Sequence, residues 1–297
     1  MIWPVMFIFA VILAGWQIRR SGLLSESAKK FLNAYLVFLA LPSIIILEIL
    51  KLPVSKMSIA FVAANILPMF FQMLLVYIVF RMGLLKKEFA KVLLVVPSLG
   101  NAVYLGFPVV EAIFGKQALA YAALLSSLQS VFTFTVGFIL FNIIAERKVP
   151  LYVSTRNLAG NTVLWSVLLG FSLASLNISF PVKLLAILSG ISATALPVAL
   201  FVLGMDFYGK KLKGDHKRVL IILAMKFLLL PALCYGILKM LSLRGMEFGV
   251  ILLEHTMPPA MLNFILAKNF GFDEELTSRV IVWGTMIFLP LVCLLGG

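Results

Sequence analysis

The sequence predicts an all-α membrane protein of ten transmembrane helices in two inverted five-helix repeats, the fourth and ninth helices being broken near their middles. Three observations lead there. Of the 297 residues, 62% are hydrophobic and 12% charged, with a mean hydropathy of +1.10, whereas a soluble domain carries roughly 25% charged residues. Apolar stretches of bilayer-crossing length recur along the whole chain, divided by short basic loops. A Pro-x-x-x-Asn skeleton occurs twice inside such stretches, as Pro97-Ser98-Leu99-Gly100-Asn101 and as Pro259-Ala260-Met261-Leu262-Asn263.

In chain order, the segments fall near 2–18, 31–50, 57–80, 90–113, 118–144, 161–177, 182–206, 218–240, 246–268 and 277–295. The first run, Ile2 to Trp16, has no positive charge before it and Arg19-Arg20 after it. A cleaved signal peptide has the opposite order, so this run is expected to stay as the first helix.

The odd-numbered loops hold eighteen of the 25 lysines and arginines, including Lys29, Lys87, Arg156 and Arg218; the even-numbered loops hold six. That bias puts the odd loops in the cytoplasm and both termini on the non-cytoplasmic side of a multi-pass cell-membrane protein. The net charge of +13 is thus spread over loops facing anionic lipid, and no nucleic-acid partner is expected. Cys234 and Cys293 lie in different segments outside any CxxC or Cys/His pattern, so neither a disulfide nor a metal site is indicated.

Five helices per half force the halves into opposite orientations. Residues 1–145 form the first repeat, 146–160 a cytoplasmic linker and 161–297 the second repeat. Proline placement supports this: Ala40-Leu41-Pro42 recurs as Ala195-Leu196-Pro197, Pro68 as Pro231, and Pro97 with Asn101 as Pro259 with Asn263.

Proline donates no N–H and crowds the carbonyl four residues back. Pro97 therefore frees Leu93, Pro108 frees Tyr104, Pro258 frees Glu254 and Pro259 frees His255. Freed backbone groups persist in hydrocarbon only beside water, protein or a ligand. Matching breaks in two halves are the sequence signature of a secondary transporter's binding site. Asn101 and Asn263 each follow a proline by one helical turn and so share its face. Their amides supply donors and acceptors without burying a charge, either to line a substrate site or to cap the broken helix. Gly100 and Gly106 admit close backbone approach, and the half-helix N-termini beyond the breaks favour an anion.

Lys226 lies inside the eighth segment, where a cation is costly and marks function unless it snorkels to the interface. If inward, it is a counter-charge for an anion or the partner of an acid. Glu254, with His255 beside it, is the candidate acid and a candidate for proton coupling. Asn65, Gln72 and Gln129 are further intramembrane amides, suited to packing or to secondary polar contacts. No nucleophile–base–orienter set, HExxH pair or phosphate loop stands out, so no enzyme and no cofactor is expected.

Together these residues resemble the auxin efflux carrier family in its short bacterial form. The likeness runs from Arg19-Arg20-Ser21-Gly22-Leu23-Leu24 and Leu41-Pro42 through Gly100-Asn101, Gly106-Phe107-Pro108, Ala195-Leu196-Pro197 and Leu203-Gly204-Met205. It ends on Met257-Pro258-Pro259-Ala260, Asn263 and Leu266-Ala267. The resemblance implies that helices four and nine cross at the substrate site. Helices 1, 2, 6 and 7 would form a scaffold, often homodimeric, past which 3–5 and 8–10 move as in an elevator. It also implies a small organic anion as substrate, with a proton or sodium as the coupling ion. The chain lacks the long central loop of plant members, which favours a small carboxylate over auxin. Two alternatives are a sodium-coupled symporter of an amphipathic anion, as in the related bile-acid carriers, and a non-transporting ligand sensor.

Overall fold

The computed structural model describes residues 2–51, 58–145, 148–176, 180–209 and 214–295. Lys56, Arg147, Lys210, Lys211 and Lys213, all counted in the loop charge above, lie outside the described residues. The described chain is helical. Its elements are α1 (Ile2–Arg20), α2 (Glu26–Tyr35), α3 (Leu41–Ile49), α4 (Ile59–Arg81), α5 (Lys87–Val95) and α6 (Phe107–Phe114). They continue with α7 (Leu119–Phe132), α8 (Phe138–Ile144), α9 (Leu151–Ala159), α10 (Thr162–Ser175), α11 (Val182–Ser192) and α12 (Ala195–Phe207). The last are α13 (His216–Ala224), α14 (Leu230–Met240), α15 (Gly245–Thr256), α16 (Leu262–Phe270) and α17 (Glu274–Leu295).

Among the described residues, five helices are long and apolar enough to cross a membrane: Glu26–Ile49, Ile59–Arg81, Lys116–Ile144, Val182–Phe207 and His216–Met240. A sixth arises if α9 and α10, bent by 54°, make one broken span. Their starts are fixed by local chemistry. Ser25, Ser58, Asn161 and Asp215 each accept a hydrogen bond from the backbone N–H three residues on, satisfying one orphan donor of the helix that follows.

Prolines shape the interiors. Wide π turns at Leu36–Ala40, Ala102–Gly106 and Met225–Leu229 each run into an α-helix whose second residue is proline: Pro42, Pro108 or Pro231. Leu41, Phe107 and Leu230 reach back five residues to Leu36, Ala102 and Met225, so the helix widens where the ring would otherwise collide with it. Pro68, by contrast, sits within an uninterrupted α4.

Large apolar side chains project outward on many helices, Phe31, Val182 and Leu228 among them. That is an inverted surface suited to lipid. Inside, glycine sets how closely helices approach. A Cβ on Gly15 would lie 2.1 Å from the Phe201 carbonyl oxygen, and one on Gly204 2.0 Å from that of Ile12. Thus α1 and α12 pack backbone to backbone, as small residues allow between membrane helices.

Candidate functional site

Both Pro-x-x-x-Asn skeletons fall where a helix stops and restarts. After α5, Ser98 and Leu99 both direct their N–H groups to the Val95 carbonyl, at 3.2 and 3.4 Å. After α15, Met257 N–H turns back to the Glu254 carbonyl at 3.3 Å, and Pro258 and Pro259 have no N–H to offer. The two irregular stretches lie antiparallel and join. Asn101 N–H donates to the Pro258 carbonyl at 2.7 Å, and Ala260 N–H donates to the Leu99 carbonyl at 2.9 Å. Two breaks 162 residues apart in sequence therefore satisfy part of each other's backbone, the requirement that irregular chain in hydrocarbon must meet.

The two asparagines serve the crossing differently. Asn263 is fully buried, and its Nδ2 donates to the Val96 and Leu99 carbonyls at 3.2 and 3.1 Å. It thereby caps the first break from the second. Asn101 has its carbonyl in the turn that restarts the helix, accepting from Gly106 N–H at 2.8 Å, while its buried Nδ2 has no partner. A buried amide donor left unbonded costs about 1–3 kcal/mol.

Asn101 is one of the residues lining a cavity of about 660 Å³. Leu99, Gly100, Asn101, Ala102 and Ala260 line its buried end, and Ser126, Gln129 and Ser130 of α7 form one wall. Glu26, Lys30 and Gly160 stand at its exposed end, with Asn157, Asn161 and Asp206 nearby. Charged side chains there are tied together: Glu26 bonds Arg19 at 2.7 Å and Lys29 at 2.9 Å, and Lys29 bonds Asp206 at 2.9 Å. The volume suits a small ligand.

Other residues singled out in the sequence are distributed around this cavity. Gly100 and Gln129 border it together with Asn101; Asn263, Pro97, Pro108, Pro258, Pro259 and Lys226 do not. Gln72 Nε2 donates to Ser98 Oγ at 3.1 Å and so braces the first break. Gln129 Nε2 donates to Asn65 Oδ1 at 2.9 Å, and Asn65 Nδ2 donates to the Leu125 carbonyl at 3.1 Å. His255 sets Nδ1 against the Ile251 carbonyl at 2.8 Å and Nε2 against the Asn65 carbonyl at 3.0 Å. Lys226 does not reach outward. It is 1% exposed, and its Nζ lies 3.2 Å from the place a side chain on Gly100 would occupy. Glu254 is equally buried, its two carboxyl oxygens 2.9 and 3.0 Å from the corresponding place on Gly106. Tyr104 and Asn33 escaped the sequence reading. Tyr104 Oη donates to Asn33 Oδ1 at 2.5 Å, and both border the cavity. The three-residue step from Asn101 to Tyr104, which puts both on one helical face, was the available signal.

A many-helix membrane chain whose two interrupted helices meet beside a polar cavity has the construction of a solute transporter. Comparison with known proteins agrees: the family of membrane transport proteins matches residues 1–153 and 149–295, and the chain belongs to it. An uncharacterised transporter of Methanocaldococcus jannaschii is 27% identical over 98% of this chain and 96% of its own. Auxin efflux carrier component 8 of Arabidopsis thaliana is 23% identical over 65% of this chain and 66% of its own. A Rhizobium meliloti protein, provisionally described as a malonate transporter, is 23% identical over 96% of this chain and 91% of its own. The protein is a multi-pass membrane transporter and not an enzyme.

Proposed function

We propose that this chain is a secondary transporter of a small organic anion, a mono- or dicarboxylate, bound at the inner end of the cavity. One observation carries the reading: the unpartnered Nδ2 of Asn101, buried at the edge of a cavity about 660 Å³ in volume. A substrate carboxylate would satisfy that donor, at the place where Gly100 leaves the backbone open and the restarting helix presents its N-terminus. Lys226 stands behind Gly100 as a positive charge in reserve. The provisional malonate assignment of the Rhizobium relative is in keeping with a short carboxylate.

In this reading each divided stretch, Lys87–Val95 with Ala102–Phe114 and Gly245–Thr256 with Leu262–Phe270, is one crossing, and the crossings number ten in two inverted repeats. The exposed end of the cavity is built from residues of the first and fifth loops, with Asp206 at the end of α12, the ends that the charge bias assigns to the cytoplasm. In this reading the carrier stands open to the cytoplasm. Packing of α1 on α12 and of α3 on α10 and α11 supports a scaffold of helices 1, 2, 6 and 7, past which the crossed breaks would travel in an elevator-like stroke. Helix α11 has no buried residue and is the natural face for a homodimer in the cell membrane.

Counterflow of radiolabelled malonate, malate and lactate in proteoliposomes tests the proposal. Exchange of at least one, diminished in Asn101→Ala, is expected; no exchange of any carboxylate by a folded protein would overturn it.

A further inference from the structure

Against the crossing, but not lining the cavity, the structure holds two buried ionisable side chains. Glu254 and Lys226 are each 1% exposed. Both carboxyl oxygens of Glu254 lack a hydrogen-bond partner, and Lys226 makes no ion pair among the described residues. They are nonetheless neighbours across the same short loop. Lys226 Nζ and the Glu254 backbone carbonyl each lie 3.2 Å from the position of a Cβ on Gly100, and the Glu254 carboxyl lies against Gly106, where the wide turn after Asn101 closes.

We propose that Glu254, backed by Lys226, is the proton-binding site that couples anion movement to a proton. The inference rests on the carrier reading above and adds its coupling ion. As carboxylate or as carboxylic acid, Glu254 brings the net charge of the pair with Lys226 to zero or to one positive charge. A substrate carboxylate at Gly100 is separated from the Lys226 ammonium only by a residue without a side chain. It is therefore held more strongly when Glu254 has taken a proton from solution and no longer offsets that ammonium. Linkage makes the effect reciprocal, so anion and proton each promote binding of the other. The loaded carrier then crosses the low-dielectric interior with one charge neutralised, which the empty deprotonated pair also achieves.

Among the described residues, the other titratable groups around α15 are engaged elsewhere. His255, adjacent in sequence, has both ring nitrogens engaged by carbonyl oxygens and acts as a clamp between α15 and α4. Cys234 of α14 is buried beside Lys226. On the other elements packed against α15, Glu111 of α6 lies toward Lys116 and Glu48, Tyr121 of α7 toward Glu247, and Tyr104 bonds Asn33. Tyr77 and Arg81 of α4 pair with each other, and Lys239 of α14 lies over Tyr235 and Phe248.

The test uses proteoliposomes of the full chain with a pH-sensitive dye inside, in sodium-free potassium buffer clamped with valinomycin, given gradients of labelled malonate or lactate. Wild type is expected to acidify the lumen as the anion enters. Its apparent affinity should fall about tenfold per pH unit on the alkaline side, the slope for one linked proton. Glu254→Gln, a fixed mimic of the acid form, should keep anion counterflow while losing acidification and the pH slope. Glu254→Asp, a second variant that retains an acid, should keep coupling with its pH midpoint displaced. Net anion uptake in wild type without acidification, acidification that survives in Glu254→Gln, or an unmoved midpoint in Glu254→Asp overturns the proton site and leaves the carrier standing. Absence of counterflow for both anions in wild type overturns the inference as well, but through loss of the carrier reading.

Discussion

The two breaks share one sequence skeleton and have different surroundings. Asn101 and Asn263 both sit four residues after a proline, both are buried, and both stand where a helix restarts after its break, Asn101 just before the turn at Ala102–Gly106 and Asn263 in the first turn of α16. Asn263 spends its Nδ2 on the Val96 and Leu99 carbonyls and leaves Oδ1 unbonded away from the cavity lining, whereas Asn101, which lines the cavity, leaves the donor Nδ2 unbonded. The difference teaches that a repeated motif specifies a place, not a task. Which copy is structural and which is open to a ligand depends on where the cavity lies, and the cavity lies on the side of Asn101.

Substitution of each asparagine can break this contrast. The largest effect on stability is expected for Asn263→Ala, which strands the Val96 carbonyl and weakens the cap on Leu99, still bonded by Ala260 N–H. A loss of about 1–3 kcal/mol should appear as a lower melting temperature in detergent. Asn101→Ala removes an unsatisfied donor and should melt like the wild type, yet cut carboxylate counterflow at least about tenfold, the equivalent of ~1.4 kcal/mol of lost anion contact. Equal melting of the two variants would erase the distinction drawn here. A smaller effect is expected for Gly100→Ala, whose new methyl group meets the Lys226 ammonium, the Glu254 carbonyl and Met257, each at 3.2 Å. A few-fold rise in the half-saturating anion concentration with little change in melting would place the ligand at that glycine. Smallest is Tyr104→Phe, which loses one hydrogen bond to Asn33, worth about 0.5–1.5 kcal/mol, and should change the rate of exchange more than the affinity.

Much of the architecture was legible because hydrocarbon imposes simple rules. Composition set the class, and prolines marked where helices stop: Pro97 follows the end of α5, and Pro258-Pro259 follow the end of α15. Chemistry at the breaks was legible only in part. That Asn101 and Asn263 differ follows from which carbonyls face them, and those carbonyls come from the other half of the chain, beyond the reach of local spacing. The direction of Lys226 was open for the same reason, since snorkelling and inward burial share one sequence and are separated by the glycine opposite. Gly106 was read as a point of close approach, but its partner, the Glu254 carboxyl, is set by tertiary packing alone.

The pair of main-chain hydrogen bonds between Leu99 and Ala260 and between Asn101 and Pro258 has a mechanical consequence. Pulling the interrupted helices apart would strip both bonds and would uncover the carbonyls that Asn263 shields. The knot is therefore the stiff part of the molecule. In the elevator-like stroke proposed above the knot would travel whole, and the give would belong to the smooth contacts around it.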